Sequence, residues 1–300
     1  MKPLHDLPPL PPYAERHFID MPATDNVEAH RIGFLDWQCR SGAANPEVIF
    51  CVHGLTRNAN DFDVMASQLS ADFRVIAVDV AGRGSSDWLE NPEGYGYETY
   101  MQDALAVLEY SGVEQVHWLG TSMGGIIAMF TATCDPSIFK SLILNDMGHF
   151  IPQDAMQRIA DYAGREHIFH SRHDAEDFLR KVTEPFAIRN PLHWKRFAEF
   201  SIWEIKEGIF TFACDPRVMH AVEAAQIEDI DLKPFWQSVQ CPTLLLRGEH
   251  SDVLLENVAQ EMASEDHVTY VEFKNVGHAP SLMDDEHIDI IQSWIEQHSE

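Results

Sequence analysis

The residues best placed to do chemistry begin with Gly120-Thr121-Ser122-Met123-Gly124. A serine hydroxyl is a weak nucleophile until a neighbouring base takes its proton. The G-x-S-x-G spacing gains meaning from its flanks. Val116-His117-Trp118-Leu119 reads as a short strand, and 123–134 reads as a helix that is apolar nearly all round. A serine on such a strand–turn–helix corner sits on a tight, strained turn with its hydroxyl thrust above the sheet. Glycines on either side let strand and helix approach without a Cβ clash. The helix N-terminus adds partial positive charge where an oxyanion would form. The bland alternative is a Gly-rich turn with a helix-capping serine.

A serine needs a base, and with 16 histidines in the chain only position can choose one. His278, in Asn275-Val276-Gly277-His278-Ala279-Pro280, follows an expected strand at 268–273 and precedes the last helix. It therefore falls at the carboxyl end of a strand, where α/β sheets hold their ligands. The base needs an orienting acid. Asp252 is the expected one, in the loop leaving the strand at 243–247, and Asp146, at the end of the strand at 139–144, is the second candidate. Glu249 lies close by in the Asp252 loop. Two backbone N–H groups are needed to hold a developing oxyanion. Met123, directly after the nucleophile, supplies one, and Leu55 of His53-Gly54-Leu55, after the apolar run Val48–Val52, supplies the other. His53 is expected to brace that loop beside the pocket.

These groups must be held by rigid elements. Runs at 48–52 and 74–78 read as buried strands, and 116–119, 139–144, 243–247 and 268–273 as further strands. Helical patterns at 61–69, 99–110, 123–134, 254–263 and 286–296 alternate with them. Two further short strands, at 18–20 and 30–39, come first, after a Pro-rich lead-in over 1–15. The alternation implies an α/β fold with a mostly parallel central sheet covered on both faces by helices. The rhythm breaks over 148–226, which reads as helical, without a β-rich run, and resumes afterwards. An inserted helical cap over 148–226 is expected, with a core formed by 1–147 and 227–300. Trp203 and Phe210, in that aromatic stretch, are expected to line the pocket.

As a set, His53-Gly54-Leu55, the run from Asp79 to Asp87, the corner at 120–124, the run from Arg247 to Asp252 and Gly277-His278-Ala279-Pro280 resemble the α/β-hydrolase fold superfamily. The resemblance is to the branch with a helical cap after the sixth strand, and it covers nearly the whole chain from about residue 16. It implies that Ser122, Asp252 and His278 form a triad in the order Ser, Asp, His. Haloalkane dehalogenases and epoxide hydrolases of that superfamily carry an aspartate at the corner. Ser122 stands here instead, which implies acyl chemistry on a small carboxylic ester.

Composition narrows the remaining choices. A net charge of −27 repels phosphate backbones and anionic membrane surfaces, so nucleic-acid and membrane partners are not expected. With 45% hydrophobic and 10% aromatic residues, the chain has material for a large core. No run approaches the roughly 20 apolar residues of a membrane span. The five cysteines are odd in number, irregularly spaced and without a CxxC, which predicts free thiols in a reducing, cytoplasmic setting. His167, His170 and His173 recur at intervals of three, yet no cysteine completes a zinc pattern, and neither metal nor cofactor is expected. A small-molecule ester and a monomer or homodimer complete the expectation. Lactone cleavage and carbon–carbon bond hydrolysis on the same triad are the alternatives. A ligand receptor on a hydrolase scaffold, with little turnover, is the alternative of another class.

Overall fold

The computed structural model describes residues 3–5, 7–163, 165–219 and 227–299. Its centre is an eight-stranded sheet in the order β1-β2-β4-β3-β5-β6-β11-β12. The strands are β1 (Ala14–Met21), β2 (His30–Trp37), β3 (Val48–Val52), β4 (Arg74–Val78), β5 (Val116–Thr121) and β6 (Phe139–Asn145), then β11 (Thr243–Gly248) and β12 (Val268–Phe273). β1 and β2 pair antiparallel, as do β2 and β4, and every pairing from β4 through β12 is parallel. The sheet is thus mostly parallel, as the alternation of strand and helix patterns implies.

Burial on both faces explains the apolar runs. In β3, Ile49 and Cys51 join one core cluster, while Val48, Phe50 and Val52 join the other. That period of two puts alternate side chains on opposite faces. One face is covered by α1 (Asp63–Leu69) and α9 (Asp285–Gln297), through residues such as Met65, Leu69, Ile291 and Ile295. The other is covered by α2 (Tyr97–Tyr110), α3 (Met123–Cys134) and α8 (Glu256–Met262), through Val107, Ile127 and Val258 among others.

From β3 the chain winds outward to β4, and from β5 it winds the other way through β6 and β11 to β12. β3 and β5 are hydrogen-bonded neighbours, so the winding direction reverses between them. At such a switch point the loops leaving the two carboxyl ends part and open a crevice. The loops after Val52 and Thr121 are the two that border it.

Between β6 and β11 lie β7 (Phe150–Ile151), α4 (Gln153–Ala163), α5 (Arg172–Val182), α6 (Pro191–Ser201), β8 (Ile202–Lys206), β9 (Ile209–Phe212), β10 (Ile230–Asp231) and the short α7 (Lys233–Trp236). β7 pairs antiparallel with β10, joining the two ends of the segment. The expected 148–226 insertion ends on residues 220–226, which lie outside the described residues. Its expected lack of β structure is corrected by the hairpin β8–β9, which turns at Glu207-Gly208 with Gly208 at φ 71°. Ile202, Trp203, Ile209 and Phe210 are β-branched or aromatic, and a glycine in the left-handed region suits a two-residue turn. Trp194, Phe197, Ala198, Leu179 and Met283 form a small core of their own beneath this segment.

Candidate active site

Ser122 caps the first turn of α3 with φ 50° and ψ −114°, a left-sided conformation that a side chain occupies only under constraint. The constraint is visible in the neighbouring glycines. A Cβ on Gly124 would lie 2.0 Å from the Val52 carbonyl oxygen, and one on Gly120 would lie 2.4 Å from the Gly124 carbonyl carbon. The close approach of β5, α3 and β3 thus forces the turn. Ser122 N–H is anchored on the Asn145 carbonyl at 3.0 Å.

The Ser122 hydroxyl lies 2.9 Å from His278 Nε2. His278 Nδ1 lies 2.7 Å from Asp146 Oδ2. Asp146 is fully buried, while the His278 side chain is 10% exposed. An ionised carboxylate only accepts, so Nδ1 carries the proton and Nε2 is left to accept from the serine. Two more donors converge on Asp146: Gly248 N–H at 2.8 Å on Oδ1, and the Ser251 hydroxyl at 2.5 Å on Oδ2.

The expected partner Asp252 is therefore corrected to Asp146. The loop after β11 folds over the end of β6 and delivers Gly248 N–H and the Ser251 hydroxyl to Asp146. Asp252, one residue on, points outward, and its side chain is 46% exposed in an ion pair with Arg158 of α4. Asp146, at φ 58°, turns its carboxylate beneath that loop, and its N–H bonds to the Leu246 carbonyl of β11 at 2.8 Å. Glu249 is likewise turned away, accepting from Lys274 and the Asn275 N–H. Ser251 escaped the sequence reading, although its place beside Asp252 was a signal that this loop serves the acid.

Leu55 and Gly54 border the same cleft as Ser122 and His278. A Cβ on Gly54 would stand 3.7 Å from Ser122 Cβ, so the loop passes directly over the serine. Arg83, fully buried, fixes this loop: its Nε donates to the Leu55 carbonyl at 2.8 Å, and its Nη2 reaches the Met123 sulfur at 3.6 Å. His53 is also fully buried. Its Nε2 accepts the Val80 N–H at 3.0 Å, so Nδ1 must carry the proton it gives to the Gly54 carbonyl at 2.7 Å. Burial pushes the His53 pKa down to about 3, and the ring stays neutral as a brace.

The cleft encloses about 670 Å³, open solvent included. Tyr162 of α4, Phe186 and Phe197 of α6 face Ser122 across it. The expected pocket residues Trp203 and Phe210 are not among its walls. Trp203 stacks on Trp88 with centroids 5.9 Å apart, and Phe210 bridges to Phe169 by paired backbone hydrogen bonds. Both belong to the hairpin β8–β9. Of the three spaced histidines, His167 donates Nε2–H to the Tyr162 carbonyl at 2.8 Å, and His173 pairs with Asp177. Among the described residues no helix is long and apolar enough to cross a membrane.

Comparison with known proteins places the chain in a large group. The family model described as the alpha/beta hydrolase fold matches residues 47–285. The chain is 35% identical over 264 residues to the 3-hydroxybutyrate-oligomer hydrolase of Cupriavidus necator, covering 85% of this chain and 89% of that protein. A solved structure of a Rickettsia typhi protein is 33% identical with a TM-score of 0.87, covering 94% of this chain and 99% of its own. That of an alpha/beta hydrolase from Novosphingobium aromaticivorans is 30% identical with a TM-score of 0.83, over the same shares.

Proposed function

The chain belongs to the α/β-hydrolase fold family, and from that premise we propose that it is a serine hydrolase of soluble carboxylic esters. The observation that carries this reading is the continuous hydrogen-bonded chain from the Ser122 hydroxyl through His278 to Asp146. His278 Nε2 takes the Ser122 proton as the oxygen attacks the ester carbonyl, and Asp146 stabilises the imidazolium that results. The N–H groups of Leu55 and Met123 hold the oxyanion. His278 then gives its proton to the leaving alcohol, leaving an acyl-enzyme. Water, deprotonated by His278, releases the acid and restores Ser122. No step calls for a cofactor or metal.

Short linear oligoesters of hydroxy acids are the substrate class this reading favours. The relative at 35% identity is named for hydrolysis of 3-hydroxybutyrate oligomers. The aromatic walls Tyr162, Phe186 and Phe197 suit an aliphatic acyl chain of modest length. We read residues 148–226 as a cap, since Tyr162 and Phe197 come from it and face Ser122 across the cleft. The five free cysteines support a cytoplasmic setting, and Ser122, His278 and Asp146 all come from one chain.

The test is rapid mixing with p-nitrophenyl acetate and with the linear trimer of 3-hydroxybutyrate. A burst of p-nitrophenol approaching one equivalent per chain, followed by steady turnover, is expected, together with release of 3-hydroxybutyrate from the trimer. Absence of steady turnover on both would refute the reading and favour a receptor.

A further inference from the structure

A second cleft of about 630 Å³, open solvent included, adjoins the Ser122 cleft. The two share Thr56, Arg57, Tyr162 and Phe186 as a common wall. Their walls differ in charge. The Ser122 cleft contains Asp61, which neutralises Arg57 through hydrogen bonds of 2.9 and 2.5 Å. The second cleft is lined by Arg57, Arg165 and His167, and among the described residues no carboxylate lines it. In a chain with 48 acidic residues among 300, that is a departure from the general surface. The rest of its wall includes Leu179, Val182 and Phe212, which are apolar.

An apolar passage whose wall carries the exposed guanidinium of Arg165 fits a ligand with an aliphatic body and an anionic end. Guanidinium groups match carboxylates in particular, because two parallel N–H donors meet two oxygens. A linear oligoester of a hydroxy acid has this form: repeating ester groups on a short aliphatic chain, with one free carboxylate at its acid end. One small monoester would fill a single cleft; a ligand reaching both must extend beyond the scissile unit. His167 is held by its bond to the Tyr162 carbonyl and by the ring of Phe178, 4.6 Å away, so it shapes the wall beside Arg165.

We infer that the second cleft binds the free carboxylate end of a linear oligoester whose scissile carbonyl lies at Ser122, with Arg165 as the anchoring side chain. The inference rests on the ester-hydrolase reading above for what happens at Ser122, and on the second cleft for what holds the far end. Arg165 is a specificity-determining residue in this account, since it touches the substrate away from the reacting atoms.

The experiment is titration calorimetry on the full chain carrying Ser122→Ala, which leaves the ligand uncut. The probes are the linear trimer of 3-hydroxybutyrate as its free acid and as its methyl ester. The free acid should bind about tenfold more tightly than the methyl ester. Adding Arg165→Ala should erase that preference, Arg165→Lys should retain most of it, and Arg165→Glu should turn it in favour of the methyl ester. Arg165 is exposed, so these substitutions leave the packed core alone. Equal affinity for the two probes, no binding of either, or a preference that survives Arg165→Ala would overturn the inference. Because the titration needs no turnover, the two readings fail separately. Carboxylate preference without ester cleavage would remove the hydrolase reading and keep the site, and cleavage without the preference would do the reverse.

Discussion

Replacing Asp146 by Asn isolates the acid's role. The side chain is fully buried and accepts three hydrogen bonds, from His278 Nδ1, Ser251 and Gly248. Asparagine has nearly the same shape, but one of its two termini donates. Gly248 N–H can only donate, so the amide oxygen must remain on the Oδ1 side. The NH₂ then sits where Oδ2 was, facing His278. His278 Nδ1 must now accept, its proton moves to Nε2, and the ring can no longer take the Ser122 proton. A comparable triad loses about 10⁴ in kcat on this change, equivalent to ~5.5 kcal/mol of transition-state stabilisation. Asp252→Asn breaks only a surface ion pair with Arg158, both side chains more than a third exposed, and such pairs contribute about 0–1 kcal/mol. Its kcat should stay within about fivefold of the parent. The assay is kcat on p-nitrophenyl acetate for both variants, with circular dichroism to confirm folding. Near-normal Asp146→Asn beside a crippled Asp252→Asn would refute the reasoning.

Other outcomes follow from the same geometry. Gly124→Ala would drive a Cβ to 2.0 Å from the Val52 carbonyl oxygen, where backbone cannot yield, so denaturant melts should show a loss of at least ~3 kcal/mol or no folded protein; a neutral effect would contradict the packing described. Trp203→Ala should cost about 3–5 kcal/mol of stability, because the ring is buried against Trp88, yet change kcat/KM on p-nitrophenyl acetate by no more than about threefold. Acid should destabilise the fold through His53 and His117, whose pKa values burial lowers from 6.5 to about 3 and about 4. Below pH 6.5 the unfolded chain binds protons that these native rings refuse, so their stabilisation is complete above 6.5 and falls by up to ~1.4 kcal/mol per pH unit for each. Asp63, raised to about 6 by burial, binds its proton more tightly when folded and offsets about one histidine's share between pH 6 and 4. Asp79, Asp103 and His30, also raised, act in the same direction as Asp63, and His287, lowered by burial, acts with His53 and His117. Urea melts of the parent and of His117→Gln at pH 7 and 5 isolate one histidine's share; the parent should lose more stability on acidification than the variant, and an equal loss in both would count against it.

The pairing of Ser122 with His278 was legible because each is a local feature. Strand, glycine, serine, glycine and helix occupy consecutive residues at 116–134, and His278 follows the β-prone run Val268–Phe273. The acid was not, because the choice lay between two loops at the same sheet edge. Position along the sheet favoured Asp252, whose strand β11 neighbours β12. What decides is the direction of the backbone: Asp146 turns inward at φ 58°, and the β11 loop crosses it. Asp in the left-handed region is tolerated through local hydrogen bonding, but no sequence pattern marks where it occurs. The parallel core was likewise readable from apolar runs. The hairpin β8–β9 was masked by the helical texture around it, although its Glu207-Gly208 turn lay between two β-prone runs. Tyr162, Phe186 and Phe197 come from separate elements and meet only across the cleft, so no spacing revealed them.

Ester hydrolysis in this cleft requires Ser122 to be the nucleophile. The most direct measurement is labelling with an organophosphonate, followed by peptide mapping and assay of residual ester turnover. One label per chain is expected, on Ser122, with turnover falling in proportion to labelling, and no labelling of Ser122→Ala. A label mapped to another residue, or full turnover in Ser122→Ala, would contradict it.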